Sequence, residues 1–333
     1  MTDWHWLFGD QLGPHFLAPG TGGPTRDSQV VMIEARSVFR RRRFHRAKAH
    51  LVLSAMRHRA AELGGRVRYI RAETYREGLY EALGDASVTV HHPTSRAALG
   101  LVRSLEQVRL LPARGFLVPQ EAFAAWADER GAGRLRQEDF YRWVRHALGL
   151  LVDGDSPAGG RWNHDHANRE RPPRGASTLG APEPYRPDED DTHHIPRLML
   201  LGSHALQRGW DPRQVTDWFH RCFVAGYDWV MLPNVTGMSQ YADGGRMTTK
   251  PYTSGGAYIH RMSDLCEGCA YRPGDRAGDR ACPFTTGYWS FAHRHRDLLA
   301  ANQRTARAVQ GLDRLGNLEE VLATDRRWDE EAP

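Results

Sequence analysis

Apolar residues along the first third of the chain fall into short runs separated by amphipathic stretches. Trp6-Leu7-Phe8 runs into Gly9-Asp10-Gln11-Leu12, a strand meeting a turn. Val30-Val31-Met32-Ile33 is a β-branched apolar run, the pattern of a strand buried on both faces. Leu51, Met56, Ala60 and Leu63 recur near helical spacing, which predicts a helix from about Phe44 to Leu63, ended by Gly64-Gly65. Val67 to Ile70 is the next strand, Tyr75 to Leu83 a helix ended by Gly84, and Val88 to Val90 a strand. Ser95 caps a helix to about Glu106, and Val108 to Leu111 is a fifth strand. Strands alternating with helices imply right-handed crossovers and a parallel sheet, so this part is expected to be an open, doubly wound α/β domain. Such sheets bind ligands beyond the carboxyl ends of their strands. Gly9, Asp10, Gln11 and Glu34 stand at two such ends, although loop residues are often no more than loop residues. No glycine fingerprint or phosphate loop follows any strand, which disfavours a standard dinucleotide site.

The pattern then changes. From Gln120 to about Val152 the chain is helical and aromatic, and Gly154 to Arg161 is a loop. Arg169 to Asp191 carries five prolines and an acidic run, a linker composition. His194 to Gln207 is a helix stopped by Gly209, and Pro212 opens another that runs to about Trp229. Met231 to Tyr258 is loop-rich, and a last helix spans about Tyr288 to Leu315. The expected organisation is an α/β domain over 1–153, a linker over 154–192, a helical domain over 193–320 and a tail over 321–333.

Composition narrows the class of protein. The 333 residues are 40% hydrophobic and 26% charged, with no apolar stretch long enough for a membrane span. The first residues lack the basic and apolar regions of a secretory signal, so a cytoplasmic protein is expected. The net charge is +5, which is compatible with a nucleic-acid partner. Of the 45 basic residues only Lys48 and Lys250 are lysine, a bias that codon usage in a GC-rich genome explains more simply than selection for phosphate binding. The run Arg40 to Arg43, with Arg46, suits a solvated helix start better than a DNA-binding surface. Three of the four cysteines lie close together: Cys266 and Cys269 are spaced to face one metal, and Cys282 follows after a moderate loop. Spacing alone leaves zinc and an iron–sulfur cluster equally open. Cys222, His260, His293 and His295 are candidate fourth ligands.

Several motifs together carry a resemblance. They are Phe8-Gly9-Asp10-Gln11-Leu12, Ser54-Ala55-Met56-Arg57-His58 and Gly159-Gly160-Arg161-Trp162-Asn163 in the first half. His193-His194-Ile195-Pro196-Arg197-Leu198-Met199 and Leu232-Pro233-Asn234-Val235-Thr236-Gly237-Met238-Ser239-Gln240 follow. Thr249-Lys250-Pro251-Tyr252, Arg261-Met262-Ser263-Asp264 and the cysteine triplet complete the set. With these, the sequence resembles the iron–sulfur bacterial cryptochromes and photolyases, the prokaryotic (6-4) photolyase-related proteins, over nearly the whole chain.

The resemblance implies an α/β antenna domain holding a lumazine-type chromophore at Gly9, Asp10, Gln11 and Glu34. It implies a helical domain holding FAD, with Arg197, Asn234 and Met238 beside it, and a [4Fe-4S] cluster on Cys266, Cys269 and Cys282. The implied activity is light-driven repair of a pyrimidine lesion in DNA, a carbon–carbon lyase reaction, with His193 and His194 facing the lesion and Trp218 in an electron chain. The departures are as specific. Family members are longer, and the shortfall falls between Asn168 and His193, where part of the flavin cradle and the first cluster cysteine belong. Ala225 stands where an aspartate would pair with Arg197, Met231 replaces an acidic residue and Phe219 a tyrosine. Removing one member of a buried ion pair strands the other charge. The repair activity is therefore expected to be altered or lost, and Cys222 is the spare thiol that could replace the fourth ligand. The alternatives are a repurposed iron–sulfur or zinc enzyme, a subunit completed by a partner, and a non-catalytic DNA-binding protein.

Overall fold

The computed structural model describes residues 3–19, 23–25, 27–131, 133–163, 197–262 and 265–331. Two compact units emerge. The first joins residues 1–131 to Trp218–Met231, and the second joins Ala132–Asp217 to Leu232–Pro333.

The first unit is built on five parallel strands, β1 (Trp4–Leu7), β2 (Gln29–Ala35), β3 (Val67–Ala72), β4 (Val88–His91) and β5 (Val108–Leu111). Their order is β3-β2-β1-β4-β5. Trp6 pairs with Val31 on one side and Val90 on the other, so β1 is the centre of the sheet. The period-two alternation of β2 separates two apolar layers. Val31, Ile33 and Ala35 face a layer with Trp6, Phe8, Leu79 and Val102. Val30 and Met32 face another with Leu7, Phe16 and Met56. Both faces are covered, as the unbroken apolar run requires.

The helices of this unit are α1 (Arg36–Arg41), α2 (Arg46–Leu63), α3 (Tyr75–Leu83), α4 (Arg96–Arg103) and α5 (Gln120–Asp128). Local chemistry sets their ends. The Thr74 hydroxyl accepts from Glu77 N while the Glu77 carboxylate accepts from Thr74 N, a reciprocal cap on α3. Ser95 Oγ accepts from Ala98 N at 3.1 Å and opens α4. Gly64 ends α2 at φ 59°, a conformation that disfavours side chains. The arginine run is placed differently from expectation. Arg40 and Arg41 close α1 rather than opening a helix, where their charges complement the carbonyl end of the helix dipole.

The second unit is helical apart from a hairpin of two-residue strands, Val152–Asp153 with Ser156–Pro157. Its final helix, Leu318–Glu331, takes in most of the expected tail. Arg208, almost wholly buried, binds that helix through Asp325 at 2.7 Å and Asp329 at 2.8 Å. The Thr286 hydroxyl donates to the same Asp325 at 3.0 Å. The expected last helix is instead three, Pro283–Arg294, Arg296–Ala300 and Ala306–Asp313. The expected helix to Trp229 stops at Cys222, and Asp228–Met231 forms a separate turn. Most of the proline-rich linker falls outside the described residues. Among the described residues no helix is long and apolar enough to cross a membrane.

The sheet buries a histidine that stays neutral. His5 on β1 is fully buried, its Nδ1 lies 2.8 Å from Thr89 Oγ1, and burial together with His91 and Arg114 lowers its pKa to about 3. The unfolded chain protonates this imidazole near its ordinary value of 6.5, so between about 6.5 and 3 the unfolded state binds more protons. Stability is accordingly expected to fall as pH falls through that window, by a contribution of about a few kcal/mol. Urea unfolding at stepped pH should show this slope, and His5→Asn, which keeps a polar partner for Thr89, should flatten it.

Candidate functional site

The strand order reverses between β1 and β4, and the loops leaving their carboxyl ends diverge to leave a crevice. Gly9 lets the first of these loops pass beneath α2, since a Cβ there would stand 2.8 Å from Val52 Cγ1 and 3.1 Å from Met56 Sδ. Gln11, fully buried, donates from Nε2 to His91 O at 3.1 Å and His92 O at 3.2 Å. It thereby ties the loop after β1 to the end of β4. The Thr94 hydroxyl donates to Asp10 Oδ2 across the gap.

A cavity of about 390 Å³ occupies this crevice, lined entirely from the first unit. Its apolar walls come from Phe8, Ile33, Val38, Phe39, Met56 and Leu101, and its polar groups include Asp10, Glu34, Thr94, Tyr227, Asp228 and His220. Glu34, at the end of β2, is saturated. Arg57 grips it from Nε at 2.7 Å and Nη2 at 3.0 Å, the Tyr69 hydroxyl donates to it, and Arg71 lies 3.5 Å away. Burial alone would raise the Glu34 pKa, but the Arg57 and Tyr69 hydrogen bonds and the two guanidinium charges outweigh it and hold the group below its ordinary value. Asp10 acts across the cavity on two phenols: burial and then its charge push Tyr75 up to about 12 and raise Tyr227.

The wall formed by Trp218–Met231 hangs on one side chain. Lys48 of α2 is fully buried, and its Nζ donates to Gly226 O at 2.7 Å and His220 O at 3.2 Å, 3.1 Å from His220 Nδ1. The Phe44 and Tyr227 rings lie 5.2 and 5.0 Å from the ammonium. Burial, then the charge of Arg42, lowers Lys48 to about 8, and Asp228 acts in the opposite direction. Arg42 pairs with Asp228 at 2.5 Å. The chain at Gly226 folds back so closely that a Cβ would meet Phe219 O at 2.6 Å. This closure ends the helix that sequence periodicity carries on to Trp229.

Of the residues expected from sequence, Gly9, Asp10 and Glu34 line the cavity and Gln11 braces it from behind. Lys48, His220, Tyr227 and Asp228 were not anticipated. Lys48 had a signal, because it lies on the same face of α2 as Val52 and Met56, spaced by four and eight residues. Trp218 makes edge contacts with Phe219 and Phe223 at 5.2 and 5.7 Å. Arg197 begins, and Asn234 and Met238 belong to, two π-helical turns of the second unit, and the Tyr252 hydroxyl lies 3.8 Å from Met238 Sδ. His193 and His194 lie outside the described residues.

The cysteines divide between the units. Cys222 is in the first, and burial raises its pKa. Cys266 and Cys269 bracket one turn, with Cys269 N donating to Cys266 O at 3.3 Å, and Cys282 opens a helix with its Sγ against Gly256. Burial, then the neighbouring Cys282 and Cys269, raise the pKa of Cys266, so the three thiols are electrostatic neighbours. Among the described residues no three acidic, histidine or cysteine side chains converge as a metal-holding group. The donor chemistry suits a soft metal, while the side-chain arrangement does not form its shell.

Comparison with known proteins decides the family. The sequence profile of the deoxyribodipyrimidine photo-lyase-related proteins matches residues 5–198, more than half of the chain. The chain belongs to this photolyase-related family. It is 53% identical over 114 residues to a (6-4) photolyase of Agrobacterium fabrum, covering 34% of this chain and 22% of that protein. It is 46% identical over 55 residues to an uncharacterized protein of Acanthamoeba polyphaga mimivirus, covering 16% of this chain and 45% of that one. The chain thus spans less than half the length of either relative. The crevice of this photolyase-related chain lies within the matched region apart from the wall that Lys48 holds.

Lys48→Met should leave the buried His220 carbonyl without its donor and Gly226 O with only its contact to His220 Nδ1, at a cost of about 1–3 kcal/mol. Limited proteolysis should then cut between 218 and 231 before it cuts the sheet, and cleavage spread evenly along the chain would contradict a local latch.

Proposed function

We propose that the chain works as a photolyase/cryptochrome-like chromoprotein, with a lumazine-type heterocycle seated in the crevice at the ends of β1, β2 and β4. The observation that carries this reading is the cavity itself, about 390 Å³ with an apolar interior and carboxylates at its edge. A flat heteroaromatic ring suits the apolar walls, and a hydroxylated chain suits acceptors such as Asp10. When bound, such a chromophore absorbs blue light and passes the excitation on. The protein's part is to exclude water with Phe8, Ile33, Phe39 and Leu101, and to orient the ligand through Asp10 and Thr94. Glu34, held ionised by Arg57 and Arg71, offers a fixed negative charge.

Light-driven repair of pyrimidine lesions in DNA belongs to this proposal in altered form. The sequence departs from the pattern of the resembled family at Ala225, Met231 and Phe219, which supports altered chemistry. Two of the clustered arginines are engaged within the first unit, Arg40 with Glu73 at 2.8 Å and Arg42 with Asp228, which leaves them less able to hold DNA phosphates. FAD, and a [4Fe-4S] cluster to which Cys266, Cys269 and Cys282 of the second unit would contribute, are the remaining parts of the reading.

Anaerobically purified protein should carry about one lumazine-type chromophore per chain by absorption and fluorescence, and Asp10→Asn should lose most of it. Protein that binds no such heterocycle when supplied with one would defeat the proposal. In the same sample flavin near one per chain would restore full repair activity to consideration. Iron near about four per chain that disappears in Cys266→Ser would support the cluster.

A further inference from the structure

The cysteine triplet is one thiol short of a complete cluster. Over residues 132–217 and 232–333 the sequence has three cysteines, Cys266, Cys269 and Cys282, and Cys222 belongs to the first unit. A four-iron cluster with a thiolate on each iron needs four. A fourth donor from the second unit is therefore not a thiol. Imidazole is a good substitute, since its nitrogen suits iron and replaces thiolate in some iron–sulfur centres.

The packing around Cys282 narrows which imidazole. Cys282 opens the helix Pro283–Arg294. Its Sγ lies against the first residue of the helix Gly256–Met262, where a Cβ on Gly256 would stand 2.6 Å away. The same spot is stapled by Thr285, whose Oγ1 accepts from Gly256 N at 3.0 Å and donates to Pro273 O at 2.8 Å. Both helices and the loop between the cysteines thus meet beside the sulfur. His260 comes one turn after Gly256 on the same face of its helix, and it is exposed. His293 lies eleven residues beyond Cys282 along the other helix, a rise of about 16 Å. His295 follows it, with its ring 4.7 Å from that of Phe291.

The loop itself calls for a staple. From Leu265 to Arg280 no residue is buried, although the stretch is folded into turns. Tyr271 packs on Trp328 at 5.0 Å and Arg272 bridges to Ala281, and the rest faces outward. A segment this long without a core of its own is commonly fixed by a metal or a crosslink. The three thiols are neighbours that do not converge on one point. A single zinc ion, with Zn–S bonds of about 2.3 Å, needs its donor atoms within about 4 Å of one another. A cluster takes each donor on a different iron and so accepts a wider spread.

We infer that His260 is the fourth protein ligand of the metal site, its imidazole serving the iron that Cys266, Cys269 and Cys282 leave without a thiolate. The inference rests on the cluster part of the proposed reading and supplies the residue which that part leaves unnamed. All four donors then come from one stretch, in the order His-x5-Cys-x2-Cys-x12-Cys. Bound this way, the cluster would fasten the coreless loop to the helix that precedes it and the helix that follows.

The test uses the full chain, purified anaerobically, with its histidines labelled with nitrogen-15. Pulsed EPR of the reduced cluster should show a nitrogen coupling that changes with the isotope, a readout that needs no variant to fold. His260→Cys should abolish the coupling and keep about four irons per chain. His260→Ala should fall to about three irons on mild oxidation with ferricyanide, under conditions where the unaltered protein keeps about four. Cys222→Ser should change neither the coupling nor the iron content. About four irons with no nitrogen coupling, a coupling that survives His260→Cys, or iron lost in Cys222→Ser would each overturn the inference and leave the cluster reading standing. Protein that holds no iron, or one zinc in its place, would overturn the cluster reading and this inference together, with the chromophore reading untouched.

Discussion

A single buried ammonium holds the first unit together across its widest gap in sequence. Lys48 reaches two carbonyls and an imidazole 172 to 178 positions away, and its burial is tolerable because those carbonyls receive its protons. Arg42 and Asp228 form a second bond between the same stretches. A pair at 2.5 Å with both groups about a third exposed or less contributes less than a dry one, so Lys48 is the stronger tie. Without it the crevice would keep its floor of strand ends and lose a wall.

The two carboxylates nearest the strand ends play different parts. Glu34 is bound on every side by Arg57, Tyr69 and Arg71, and this network fastens α2 and β3 to β2. Asp10 takes one hydroxyl, from Thr94, and raises two phenols across the cavity. The first is a structural rivet with a charged face, and the second is available to a ligand. Sequence position alone, one at the end of β1 and one at the end of β2, does not separate them.

The α/β unit was legible because its determinants are local. The apolar run of β2, the Thr74–Glu77 pair and the stop at Gly84 each act within a few residues, and the elements lie where those signals put them. Asp10 and Glu34 were found through the strand-end rule, which depends only on topology. The elements after Pro212 were harder, because partners distant in sequence decide their boundaries. The helix from Pro212 ends early because Lys48 and the close approach at Gly226 draw the chain away. Residues after 320 stay helical because Arg208 holds Asp325 and Asp329. His220 as a site residue was invisible for the same reason. Its place in the crevice wall depends on its contacts with Gly226 and Lys48, and no spacing rule connects position 48 with position 220.

The discontinuity of the first unit also bears on how it is made. The five strands and their helices are complete once about the first 131 residues are available, while the wall that closes the crevice arrives with residues 218–231. During synthesis from the N-terminus the sheet can form early, with contacts close in sequence and little loop entropy to overcome. Lys48 must then wait, solvated and charged, until its acceptors emerge from the ribosome. A nascent chain therefore passes through a stage with a formed sheet and an open cleft before the last wall closes.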